Sequence, residues 1–171
     1  MRAFAISLCR DATLADDLVQ EALVKAWASI GGFTPGTNMR AWLFTILRNG
    51  FYSLKRKRRR EVGDPDGVHA GGLANGPDHD GRLAYADFER AFAALSDEHR
   101  EVLVLVGAEG FTVEEAAATM GVAPGTVKSR ASRARARLAE LMGLEKGESA
   151  VIEAEPGTRA AIAAGAAVPT A

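Results

Sequence analysis

Cysteine is nearly absent. Cys9 is the only one in 171 residues, so the chain forms neither an intramolecular disulfide nor a cysteine-based metal cluster. Histidine is scarce too, and His69, His79 and His99 stand apart without ligand spacing. No apolar run reaches the ~20 residues that cross a bilayer, and Met1 is not followed by a signal-peptide pattern. These absences lead us to expect a cytoplasmic protein with no membrane contact. A phosphate-cradling glycine loop is also missing, because Gly31-Gly32 and Gly71-Gly72 lie in turn or linker contexts. Acids such as Glu114 and Glu115 are explained by helix starts rather than by acid–base chemistry. An enzyme reading therefore has no support, and no cofactor is expected.

Net charge is scarce as well, at −1, but the balance hides strong segregation. Of 21 Lys and Arg, eight fall in Arg40–Arg60 and five in Lys128–Arg137, and neither stretch holds an acid. Attraction to phosphate depends on such local patches rather than on the sum.

The second patch sits in FTVEEAAATMGVAPGTVKSRASRARARL, residues 111–138, which predicts a helix, a tight turn and a second helix. Thr112 and Glu115 form a capping box, with Phe111 placed to staple onto Ala116. Gly121 suits the left-handed residue that ends the first helix, and Pro124 the first position of the next. Val127, Ala131, Ala134, Leu138 and Leu141 recur at three- and four-residue steps as one apolar stripe. Lys128, Ser129, Ser132 and Arg133 lie opposite it, flanked by Arg130, Arg135 and Arg137. A short helix pair whose second member presents a cationic face is the shape that enters a DNA major groove.

Lys55–Arg60 is a run of six positive charges closing a helix that begins near Met39. Macrodipole complementarity accounts for two or three charges at a helix end, but six point to a polyanion. The same helix carries Trp42, Phe44, Phe51 and Tyr52 beside Arg48 and Asn49. Rings next to cations suit unpaired bases, which stack while their backbone follows positive charge. Trp42, Leu43, Ile46 and Leu47 read instead as core, with Phe51, Tyr52 and Asn49 open to either reading.

Between the patches, residues 62–81 are rich in Gly, Pro, Asp and Asn with no hydrophobic period, predicting a flexible linker. A linker of this length permits both spread and closed lobes. Residues 82–144 are helical in pattern, and the Ala/Gly-rich tail from 145 to 171 is expected to be disordered. Ala15–Ile30 predicts an amphipathic helix, with Leu18, Val19, Ala22, Leu23, Ala26, Trp27 and Ile30 on one face and Asp17, Gln20, Glu21 and Lys25 on the other. VLVLV at 102–106 is strand-like in composition, but the Ser96 cap, the DEHRE first turn and the lack of a partner strand favour helix. The fold class is all-α, as two small helical domains.

DDLVQEALVKAW, FTPGTNMRAWLFTILRN with its basic trailing end, and LSDEHREVLVLVGAEGFTVEEAAATMGVAPGTVKSRASRARARL, in this order, resemble the bacterial extracytoplasmic-function (group IV) RNA polymerase sigma factors. The wording is most similar to the EcfG type of the general stress response. The resemblance implies region two over 1–61, a linker over 62–81 and region four over 82–144. It implies a promoter-directing partner of core RNA polymerase, bound through the β′ clamp helices and the β subunit, and controlled by an anti-sigma factor. It places polymerase contact on Asp16, Asp17, Gln20, Glu21 and Lys25.

It also places −10 element capture on the loop Phe33–Asn38 and the helix that follows. The residues there are Asn38, Arg40, Arg48, Asn49, Tyr52, Lys55, Arg56, Lys57, Arg58 and Arg59. For the −35 element it implies Thr126, Lys128, Ser129, Arg130, Ser132, Arg133, Arg135 and Arg137. Two features depart from the family pattern. The first region-two helix is short, which implies a natural start upstream of Met1 or a trimmed chain with weaker region-two packing, and Ala123 stands where a capping Ser is common. Two alternatives fit the residues less well. A sigma-like decoy that binds only an anti-sigma factor need not keep both cationic faces, and a plain helix-turn-helix repressor leaves the first basic helix unexplained.

Overall fold

A computed structural model describes residues 1–62 and 79–144. Most of the linker expectation and all of the tail expectation fall on residues outside these. Among the described residues every regular element is helical. VLVLV is helical as expected, continuing the preceding helix as a π-helical turn, Leu103–Ala108.

The first lobe holds α1 (Arg2–Cys9), α2 (Ala12–Ala28) and α3 (Met39–Val62). In α1 the consecutive residues Phe4, Ala5, Ile6, Ser7 and Leu8 are all buried, so this helix is covered on every side. It stops at Arg10, a non-glycine residue at φ 57° whose guanidinium donates to the Ala93 carbonyl at 3.1 Å. The Asp11 carboxylate accepts from the Leu14 N–H at 2.9 Å, a cap that starts α2 one turn earlier than hydrophobic periodicity alone suggests. A 3₁₀ turn, Ile30–Gly32, follows α2.

The second lobe holds α4 (His79–Ala93), α5 (Asp97–Val102), α6 (Val113–Met120) and α7 (Pro124–Leu141). The local chemistry follows the sequence closely. Ser96 accepts from His99 N–H, and Thr112 and Glu115 close a reciprocal capping box. Gly121 ends α6 at φ 67°, a conformation that penalises any residue with a Cβ. Pro124 opens α7, preceded by Ala123 in extended geometry with no side-chain cap. Val127, Ala131, Ala134 and Leu138 are buried, as the stripe predicts, with Leu141 half-buried.

The lobes are closed on one another. α3 packs on α2 and also on α6, while α1 packs on α2, α3 and α5. Phe44 of α3 lies 5.1 Å from Phe4 and 5.0 Å from Phe111, measured between ring centroids, joining both lobes in one apolar core. Rings at such separations contribute about 0.5–1.5 kcal/mol beyond their area burial. Arg40 lies over the Phe111 ring at 4.7 Å and the Phe44 ring at 5.5 Å, capping the seam with a cation. Arg100 is buried and ties the seam at its far end. It donates to the carbonyls of Ser7 at 2.7 Å, Ala93 at 3.3 Å and Leu95, and to the Asp97 carboxylate at 2.5 Å.

Candidate nucleic-acid interface

On α7, burial of the Val127–Leu138 stripe fixes which side chains point outward. Lys128, Ser132 and Arg133 are exposed, and neither cation is ion-paired with a described residue. Lys and Arg at such positions donate to guanine O6 and N7, and Ser serves several bases. Ser129 and Thr126 are half-buried, the Ser129 hydroxyl donating to the Thr126 carbonyl at 3.0 Å. Arg130 turns inward to Glu98 of α5 at 3.2 Å and braces α7 against it. Arg137 pairs with Glu140 at 2.8 Å, and Arg135 is half-buried. The solvent-facing polar surface of α7 is therefore narrower than the sequence pattern implies.

The basic end of α3 is solvent-facing from Lys55 to Arg60. Lys57 reaches Glu61 at 3.9 Å and Arg56 donates to the Ser53 hydroxyl at 3.0 Å, contacts loose enough for phosphate to replace. Asn49 is exposed on the same helix. Phe51 is buried and belongs to the core, which resolves that position against base stacking.

The other expected −10 residues face the second lobe. Arg48 pairs with Glu101, which is 0% exposed, and the Tyr52 hydroxyl donates to the other Glu101 oxygen at 3.0 Å. Arg48 also lies 4.6 Å from the Tyr52 ring centroid. Burial raises the Glu101 carboxyl above its ordinary value, partly offset by Arg48 and Tyr52; burial and the nearby Glu101 charge push the Tyr52 hydroxyl up. Arg40 pairs with Glu109, and Lys55 with Asp97. The Asn38 amide donates to Glu115 at 2.5 Å, while its oxygen accepts from the Ala41 N–H at 3.1 Å to cap α3. Every one of these acids lies on α5, on α6 or between them. Sequence reasoning missed them, although an acid beside the apolar run VLVLV was a legible sign of a buried ionic partner.

On α2, Asp17, Gln20, Glu21 and Lys25 are exposed as expected, with Lys25 and Glu21 paired at 2.5 Å. Asp16 binds Arg2 of α1 at 2.7 Å and 3.3 Å, which lowers its carboxyl pKa. The apolar face divides. Leu18, Ala22 and Ala26 are buried, but Leu23 (48%), Val24 (69%), Trp27 (82%) and Ile30 (48%) stand in solvent. An exposed ridge of large apolar side chains marks an interaction surface rather than core.

These surfaces have counterparts in known proteins. Residues 1–61 match Sigma-70 region 2, and residues 85–138 match Sigma-70 region 4. The chain is 52% identical over 148 residues to the ECF RNA polymerase sigma factor EcfG of Rhodopseudomonas palustris, covering 86% of this chain and 82% of that one. The chain belongs to the extracytoplasmic-function sigma factors. It is also similar to the RNA polymerase sigma factor CnrH of Cupriavidus metallidurans, 37% identical over 140 residues, covering 74% of this chain and 72% of that one. In three dimensions this sigma factor resembles the sigma factor RpoE of Bartonella quintana, solved in complex with the anti-sigma factor NepR. The TM-score is 0.73 at 53% identity, over 85% of this chain and 91% of that one. The resemblance to CnrH in complex with the cytosolic domain of CnrY has a TM-score of 0.56 at 30% identity, over 83% of this chain and 78% of that one. No helix among the described residues is long and apolar enough to cross a membrane.

Proposed function

We propose that this sigma factor acts in the cytoplasm, by binding rather than by any reaction of its own. It carries core RNA polymerase to stress-type promoters and is held in check by an anti-sigma factor. Residues 1–61 serve as region two, 62–81 as the linker and 82–144 as region four, with no role assigned to 145–171. The observation that carries this reading is the pair of separate cationic surfaces, Lys55–Arg60 closing α3 and Lys128 with Arg133 on α7, each on its own lobe.

Duplex reading and strand capture are distinct tasks. α7 suits the −35 duplex, where Lys128, Ser132 and Arg133 reach base edges, and Thr126, Ser129, Arg135 and Arg137 lie nearer the backbone. α3 and the loop before it suit the melted −10 strand, through Asn38, Arg40, Arg48, Asn49, Tyr52 and Lys55 together with Arg56–Arg59. Flipping a base out of the duplex costs a few kcal/mol, which a lone small lobe does not supply. Polymerase must add contacts, and the ridge Leu23, Val24, Trp27 and Ile30 with its polar neighbours Asp17, Gln20, Glu21 and Lys25 gives the clamp helices an amphipathic surface. The resemblance to sigma factors solved with NepR and CnrY supports an anti-sigma partner for this chain. Run-off transcription with core polymerase on a stress-type promoter tests the reading. Specific transcripts are expected, and their absence in the presence of active core polymerase overturns it.

A further inference from the structure

One edge of α7 carries Arg130, Arg133 and Arg137, at the three- and four-residue steps that align side chains along a helix. Acids hold the outer two. Arg137 reaches Glu140 on its own helix at 2.8 Å, whereas Arg130 crosses to Glu98 on α5 at 3.2 Å. Arg133, between them, turns to solvent. The two pairs differ in what they fix. Arg137 and Glu140 tie α7 only to itself. Arg130 and Glu98 tie α7 to a helix it packs on, and the arginine is the better covered partner, 22% exposed against 57%.

The remaining hold on α7 comes from its apolar stripe, Val127, Ala131, Ala134 and Leu138. Alanine presents little ridge for a facing groove, so such a stripe sets how deep the helix sits better than how it is rolled about its axis. A directional ion pair on the flank supplies the missing constraint. Neighbouring acids do not compete for Arg130. Asp97 is engaged by Arg100 and Lys55, and Glu101 gives its two oxygens to Arg48 and Tyr52.

We propose that Glu98 is a positioning residue for duplex reading: through Arg130 it fixes the roll of α7, so that Lys128 and Arg133 address base edges together. This rests on the assignment of α7 to the −35 duplex. Lys128 and Arg133 are separated by about 140° around the helix, so any roll carries one toward the bases and the other away. A roll of about 20° moves a side-chain tip at the ~6 Å helix radius by roughly 2 Å, enough to break a hydrogen bond. The pair also keeps Arg130 off the DNA backbone, where it would add affinity for every sequence and information about none.

The test uses holoenzyme assembled from the full chain and core polymerase. It transcribes a pool of stress-type promoters with randomised −35 positions, each template barcoded in its transcribed region. The parent is expected to enrich a −35 sequence among the run-off transcripts. In Glu98→Gln that enrichment is expected to fall about threefold to fivefold, the upper range for a partly shielded ion pair. Arg130→Gln is expected to reproduce the loss, and Arg130→Lys, which keeps a cation for Glu98, to retain most of the enrichment. Glu140→Gln makes the same change in net charge and releases Arg137 without touching α5, so its enrichment is expected to stay within about 1.5-fold of the parent.

A second readout uses the full chain alone on a mixed-sequence duplex, followed by fluorescence anisotropy. Glu98→Gln is expected to steepen the salt slope by about 0.9 as Arg130 finds a phosphate, whereas Arg130→Gln leaves the slope of the parent unchanged. Enrichment in Glu98→Gln equal to that in Glu140→Gln overturns the proposal. So does an Arg130→Gln slope shallower than the parent's by one contact, which would make Arg130 a phosphate ligand. A parental preference that every variant shares refutes only the role of Glu98; a parent without transcripts, or without any −35 preference, refutes the reading beneath it.

Discussion

Glu101 and Glu115 are the same residue type in the same lobe, and their surroundings drive them in opposite directions. Burial raises Glu101, whereas hydrogen bonds from Thr112 and then from Asn38 lower Glu115. The signs for stability follow. A carboxyl raised on folding contributes most when protonated, so the Glu101 contribution is complete below 4.5 and declines as pH rises through its raised folded value. Glu115 contributes above 4.5 and loses its contribution as pH falls through its lowered folded value. Carboxyl NMR titration is expected to place the Glu101 midpoint above 4.5 and the Glu115 midpoint below it; the reverse order refutes both environments. Ala123 supports a second prediction at this scale. It has extended N-cap geometry but no side chain to accept from the first turn of α7. Ala123→Ser is expected to stabilise the chain by about 1 kcal/mol in urea denaturation, with no change in the groups that face DNA.

The helices show what was legible in the sequence and what was not. The α6–α7 pair was readable down to single residues, because capping box, left-handed Gly121, Pro124 and the apolar stripe are local rules that agree with one another. The partners of Arg40, Arg48 and Lys55 were not, since those pairings span 42 to 69 residues and follow from lobe closure, which local pattern does not encode. α2 failed in a more instructive way. Its apolar positions read as one face, yet Leu18, Ala22 and Ala26 are buried with Val19 half-buried beside them while Leu23, Trp27 and Ile30 stand in solvent, because periodicity locates a face without saying what lies against it. Trp27→Ala is therefore expected to change stability by less than about 0.5 kcal/mol, as a surface substitution does. It is expected to weaken co-purification with core polymerase, and a large stability loss refutes the docking assignment. On α7 the roles separate by readout. Lys128→Gln and Arg133→Gln are expected to cost about 1–3 kcal/mol each and to relax promoter choice in run-off assays. Arg130→Gln acts instead through the lost Glu98 brace.

At the scale of the whole molecule, a net charge of −1 coexists with two cationic surfaces because the basic residues are segregated from the acids along the chain. In the closed chain Arg40, Arg48 and Lys55 face carboxylates, whereas Lys128, Arg133 and the end of α3 remain turned to solvent. Duplex binding by the free chain therefore rests on the second group alone. With about five phosphate contacts, its affinity for a −35 duplex is expected to fall roughly 500-fold between 50 and 200 mM salt. Salt acts on the seam as well, but less, because the Glu101 pair is shielded from solvent and only its rim is screened.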